Sequence, residues 1–151
     1  MDPVARRSVL RAVGAMAVGS ALAGAGCSSR GGVPTELGEA LTQARAAVRS
    51  GALALDLLDR GRTSTAAAQT TLHDMARELT AAGQQVATVT TRRADQRRLR
   101  EIAASAVLTG WRAVADAEDA LDRHPERTAL RSGLADADHT IEQAITAVGG
   151  G

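Results

Sequence analysis

The stretch "LGEALTQARAAVRSGALALDLL", residues 37–58, decides the fold. Leu37, Leu41, Ala44, Val48, Gly51, Leu55 and Leu58 recur in alternating steps of four and three. That spacing gathers them on one face of a helix, whereas a half-buried strand needs alternation at every second residue. The same rhythm returns from Ala68 to Val89, from Ala103 to Leu121 and from Leu130 to Val148. Leu99, Ile102 and Ala106 widen the third stripe, and Met75 lies within the second. "GRTST" at 61–65, "TTRR" at 90–93 and "RHPER" at 123–127 separate the four segments with a glycine, hydroxyl caps and a proline. Short connections between long helices imply antiparallel neighbours. The expected architecture is an all-α, up-down-up-down four-helix bundle over 35–149, with helices roughly 30–45 Å long at 1.5 Å per residue. The stripes are rich in alanine and glycine, so the helices should pack closely around a thin core. Gly51 and Gly110 each give up as much as about 1 kcal/mol of helix propensity relative to alanine. Close packing is the simplest reason for them and a kink is the other.

Composition narrows what such a bundle can do. All 18 basic residues are arginine, and the chain contains no Lys, Phe, Tyr or Asn. Those four residues use AT-rich codons, so the pattern reads as a GC-rich genome, as in actinobacteria. With Trp111 alone, no aromatic cage or base-stacking platform can form. From Cys27 onward the chain has 125 residues, 15 of them basic and 16 acidic, a balance that does not favour nucleic acid as a partner.

The N-terminal region has its own organisation. Paired arginines, Arg6 and Arg7, precede an apolar run from Ala12 to Gly26, which ends at the only cysteine, Cys27. The run is shorter than the roughly 20 residues a membrane span needs. A positive start, a short apolar middle and a small-residue end read as a secretory signal peptide over 1–26. "ARRSVLR" resembles the twin-arginine export signal, and "AGAGC" resembles a lipobox, in which the cysteine becomes lipid-modified. Val9 and Gly24 depart from the residues those patterns favour. The resemblance covers only this region and is to twin-arginine-exported bacterial lipoproteins; the segment beyond it resembles no family. It implies export and anchoring on the outer face of the cell membrane through acyl chains, such as palmitate, on Cys27. Two acyl chains give stable anchoring, one only marginal binding. Cleavage after Ala23 or Ala25, leaving a free thiol, is the other reading. Residues 27–34, ending in "SSRGGVP", form a flexible linker of lipid-anchored chain.

Catalytic chemistry finds little to work with. A ferritin-like centre needs inward glutamates with a Glu-x-x-His repeat. The nearest approach is Asp136 with His139, and His139 points away from its stripe. His73 also points outward, and His124 sits beside Pro125 at a helix end. Asp116, Asp119 and Asp122 read as a solvated acidic face, since calcium-loop spacing is absent. No catalytic residue, metal or cofactor is expected.

Two surface features remain. Arg92, Arg93, Arg97, Arg98 and Arg100 cluster at the second break. In an up-down bundle this break lies at the same end as the tethered start of the first helix. Contact with anionic lipid or an envelope polymer is one expectation for it, and salt bridging to Glu36, Glu39 or other carboxylates at the same end the other. Trp111, at the flank of the third stripe, and Leu108, on the opposite face one turn away, form a candidate surface for an envelope protein partner. Packing of Trp111 into the core is the plainer expectation. The reading is a cell-surface helical interaction module; a ferritin-like metal protein or enzyme, or an envelope spacer without a ligand, is the alternative.

Overall fold

In a computed structural model the described residues are 32–121, 123 and 127–150. The signal segment with Arg6 and Arg7, the anchor Cys27, and Asp122, His124 and Pro125 of the third break lie outside them. Among the described residues there are four helices and no strand: α1 (Val33–Asp59), α2 (Thr65–Thr88), α3 (Ala94–Leu121) and α4 (Arg127–Gly149). The protein is an all-α four-helix bundle. The helices pack in the cyclic order α1, α2, α3, α4, with α4 closing onto α1.

Each boundary has a local cause. Helix α1 begins two residues before the expected start at residue 35. Pro34 occupies its first turn, where a missing N–H costs nothing, so Val33 and Pro34 belong to the helix instead of the linker. Helix α1 ends in a paired turn: the Arg62 N–H donates to the Leu57 carbonyl at 2.8 Å and the Gly61 N–H to that of Leu58 at 3.0 Å. Gly61 takes the left-handed conformation this turn requires, with φ +65°. Ser64 then caps α2, its hydroxyl accepting from the Ala67 N–H at 3.2 Å. At the start of α3, Gln96 reaches back: its Oε1 accepts from the N–H groups of Arg92 (3.0 Å) and Arg93 (3.3 Å). This is the returning half of a capping box.

The buried side chains of the described residues all lie between Leu37 and Val148 and none is polar, so the bundle carries its own apolar core. Nearly every residue of the four stripes is buried; Met75, Leu99, Ile102 and Leu130 sit at its edge. On α1 the buried face is wider than the stripe, because Ala40, Ala47 and Ala54 are buried as well. The reason is topological. Helices α1 and α3 approach each other across the bundle, whereas α2 and α4 do not, so α1 has three helices to pack against. Gly51 and Gly110 lie on this diagonal. A Cβ on Gly110 would stand 3.0 Å from Val48, 3.1 Å from Ile141 and 3.2 Å from Leu79. Both glycines sit inside uninterrupted helices, so close packing is their role.

Candidate functional site

The apolar pair on α3 lies on the surface. Leu108 is 45% and Trp111 40% exposed, so the indole is not a core residue. Across from them α2 presents Thr80 and Gly83, too small to cover an indole. The result is an open groove between α2 and α3 of about 450 Å³, lined by Leu79, Thr80, Gly83, Ala104, Val107, Leu108 and Trp111. The third large exposed apolar side chain, Leu53 at 57%, lies on α1 in the separate groove facing α2. Sequence reasoning missed it because it falls between stripe positions in "ALALDLL".

The arginine cluster surrounds the α2–α3 turn. Arg92, Arg93, Arg97 and Arg98 are exposed, and Arg100 is half-buried. Arg100 donates to the Val89 carbonyl at 3.3 Å and Arg97 to that of Arg92 at 3.4 Å, so both tie down the turn. Arg93 meets Asp95 at 3.4 Å. Among the described residues no ion pair joins the five arginines to Glu36 or Glu39; of the salt bridges expected at this end, the one to another carboxylate, Arg93 to Asp95, forms. Arg93 and Arg98 instead flank a cleft of about 430 Å³ whose other walls include Pro34, Leu99, Ile102 and Ala147. The starts of α1 and α3 and the end of α4 therefore meet at one end of the bundle.

Elsewhere charges staple the helices together. Arg49 grips Asp138 with both ends of its guanidinium, at 2.9 and 3.2 Å. Arg45 reaches the same carboxylate at 2.9 Å and Glu142 at 2.7 Å. Partial burial raises the Asp138 pKa, but its hydrogen bonds and attraction to Arg45 and Arg49 prevail and hold it below the usual aspartate value. Hydrogen bonds to Asp138 and Glu142 raise that of Arg45. At the far end Asp59 receives Arg127 and Arg131, each at 3.0 Å. Sequence reasoning passed over these staples. Their signal was present as two matched i,i+4 pairs, Arg45/Arg49 on α1 and Asp138/Glu142 on α4.

His73 and His139 are surface residues. His73 Nδ1 lies 3.0 Å from Glu118 of α3, and His139 Nε2 lies 2.9 Å from the Gln143 amide nitrogen. Asp116, Asp119 and Asp136 are exposed. Among the described residues no three His, Cys, Asp or Glu side chains converge as metal ligands, and no helix is long and apolar enough to cross a membrane.

The fold and these surfaces define a class: a small all-α bundle with an apolar groove on one flank and a cationic end. Compared with known proteins, the chain matches no family model, no curated protein and no solved structure.

Proposed function

We propose that this protein is an exported lipoprotein, held on the outer face of the cell membrane through lipid on Cys27, whose bundle binds an envelope protein. The observation that carries the binding part is the side-by-side exposure of Leu108 and Trp111 on the rim of the α2–α3 groove. Tryptophan and apolar neighbours around a depression are what protein interfaces concentrate their affinity in. The anchoring part is supported by the order Arg6-Arg7, apolar run, Cys27. A partner reached this way would be membrane-associated or fixed in the cell wall close by.

The test is chemical cross-linking in native membranes followed by mass spectrometry. The full chain should cross-link to a defined protein through residues flanking the groove, and Leu108→Ser/Trp111→Ala should abolish that product while keeping the helical circular dichroism. Cross-links that persist in the double variant would remove the groove from the reading. Separately, Cys27→Ala should release the chain from membranes or block its processing. A variant still membrane-bound and normally processed would refute lipid anchoring.

A further inference from the structure

We propose that the end of the bundle formed by the α2–α3 turn docks on an anionic phospholipid surface, the cleft between Arg93 and Arg98 seating a headgroup phosphate. Three observations converge on it. First, Arg92, Arg97 and Arg98 are exposed and have no ion-pair partner among the described residues, while Glu36 and Glu39, the carboxylates nearest the start of α1, do not reach them. Guanidinium groups with unused donors are matched to phosphate oxygens. Second, these cations surround the N-terminus of α3, where the helix dipole already favours negative charge. Arg92 and Arg93 precede the first helical residue, Ala94, and Arg97 follows within one turn. Positive side chains there disfavour the free helix, and an external anion relieves that repulsion. Third, the cleft beside Arg93 and Arg98 has an apolar floor of Pro34, Leu99, Ile102 and Ala147; Asp95, which pairs with Arg93, and Gln96 also line it, so Arg98 is the cleft's unpaired cation. A guanidinium rim over an apolar floor suits a phosphate attached to glycerol and acyl chain better than a free ion.

Position completes the argument, and this step rests on the proposed anchoring at Cys27. Cys27 precedes Gly32, the residue that opens α1, by five positions, a reach of at most about 18 Å in extended chain. The start of α1 shares the arginine end of the bundle, because Pro34 lines the same cleft as Arg93 and Arg98. An anchored chain therefore has this end within contact range of the membrane, and docking would hold the bundle upright with the Leu108/Trp111 groove facing sideways.

The experiment uses the chain from Ser28, which keeps the whole core and lacks Cys27, so its outcome bears on the arginines and not on lipidation. Co-sedimentation is measured with vesicles of phosphatidylcholine alone and with phosphatidylglycerol added. Binding should require phosphatidylglycerol and fade as salt rises from 0.1 to 1 M, where the screening length falls from about 10 to about 3 Å. Arg92→Gln/Arg97→Gln/Arg98→Gln should weaken partitioning by about 100-fold, at about fivefold per charge. The corresponding lysine triple variant should retain most of the binding. The charge-matched control, Arg60→Gln/Arg62→Gln/Arg123→Gln at the far end, should bind nearly as the parent does. Equal binding to both vesicle types, no binding to either, or equal losses in the two glutamine variants would each overturn the proposal. So would binding to a soluble anionic polymer without binding to vesicles, which would point to a wall polymer instead.

Discussion

Gly110 shows how much one hydrogen atom decides in this core. Its would-be Cβ meets Val48, Ile141 and Leu79 from three sides at 3.0 to 3.2 Å. Overpacking of that kind costs about 1–3 kcal/mol, against a gain in helix propensity of at most about 1 kcal/mol. Gly110→Ala should therefore lower stability. Gly133, mid-helix in α4 with open space around it, faces no such obstacle. Gly133→Ala should raise stability by about 0.5–1 kcal/mol. The urea midpoints of the two variants should move in opposite directions. Asp138 is the residue through which acid acts on the bundle. Its pKa is depressed in the folded state by Arg45 and Arg49. The resulting stabilisation is complete above the unfolded-state value near pH 4 and is lost as pH falls through the lower folded-state value. Asp138→Asn should melt a few degrees below the parent from pH 7 to 5. The gap should close below about pH 4, as thermal unfolding across that range would record.

At the scale of elements, helix ends and helix faces obey different determinants. The ends are set by short-range chemistry. Ser64→Ala removes the only side-chain cap on α2 among the described contacts and should cost about 1 kcal/mol. Gly61→Ala places a Cβ in the left-handed region at φ +65° and should cost about 1–2 kcal/mol. Both values can be read by denaturant unfolding, and both ends are visible in "GRTST". The faces were legible only to a first approximation. The stripe on α1 lacked Ala40, Ala47 and Ala54, because alanine is neutral enough to lie on either side of a helix and only its neighbours settle the matter. Trp111 shows the converse. Its size favours burial, yet Thr80 and Gly83 on the facing helix leave it uncovered.

At the scale of the whole molecule the four helices share one core, and among the described residues 26 buried apolar side chains contribute to it. Unfolding any one helix exposes a face of the others, so the bundle should unfold in a single transition. Far-UV circular dichroism and the fluorescence of Trp111, the only tryptophan, should give coincident urea curves. Separate curves would indicate that α2 and α3, which hold the indole, come apart independently. The same architecture brings the start of α1, the α2–α3 turn and the end of α4 together, which is why the arginine cluster and the start of α1 are neighbours.

The sequence by itself determined the helical class, the number of helices and most of their core faces. Periodicity and capping are local properties, written in steps of three and four residues and in single cap residues. It also marked Arg92–Arg100 and Leu108/Trp111 as the surfaces to watch. Only the tertiary structure decided that α1 and α3 meet across the diagonal, that Asp138 is gripped by two arginines from α1, and that Glu36 and Glu39 do not pair with the arginine cluster. These depend on how each helix is rotated about its own axis against its neighbours. That rotation is set by the fit of small residues such as Gly51 and Gly110 among larger ones, a balance of contacts between positions dozens of residues apart that no local pattern encodes.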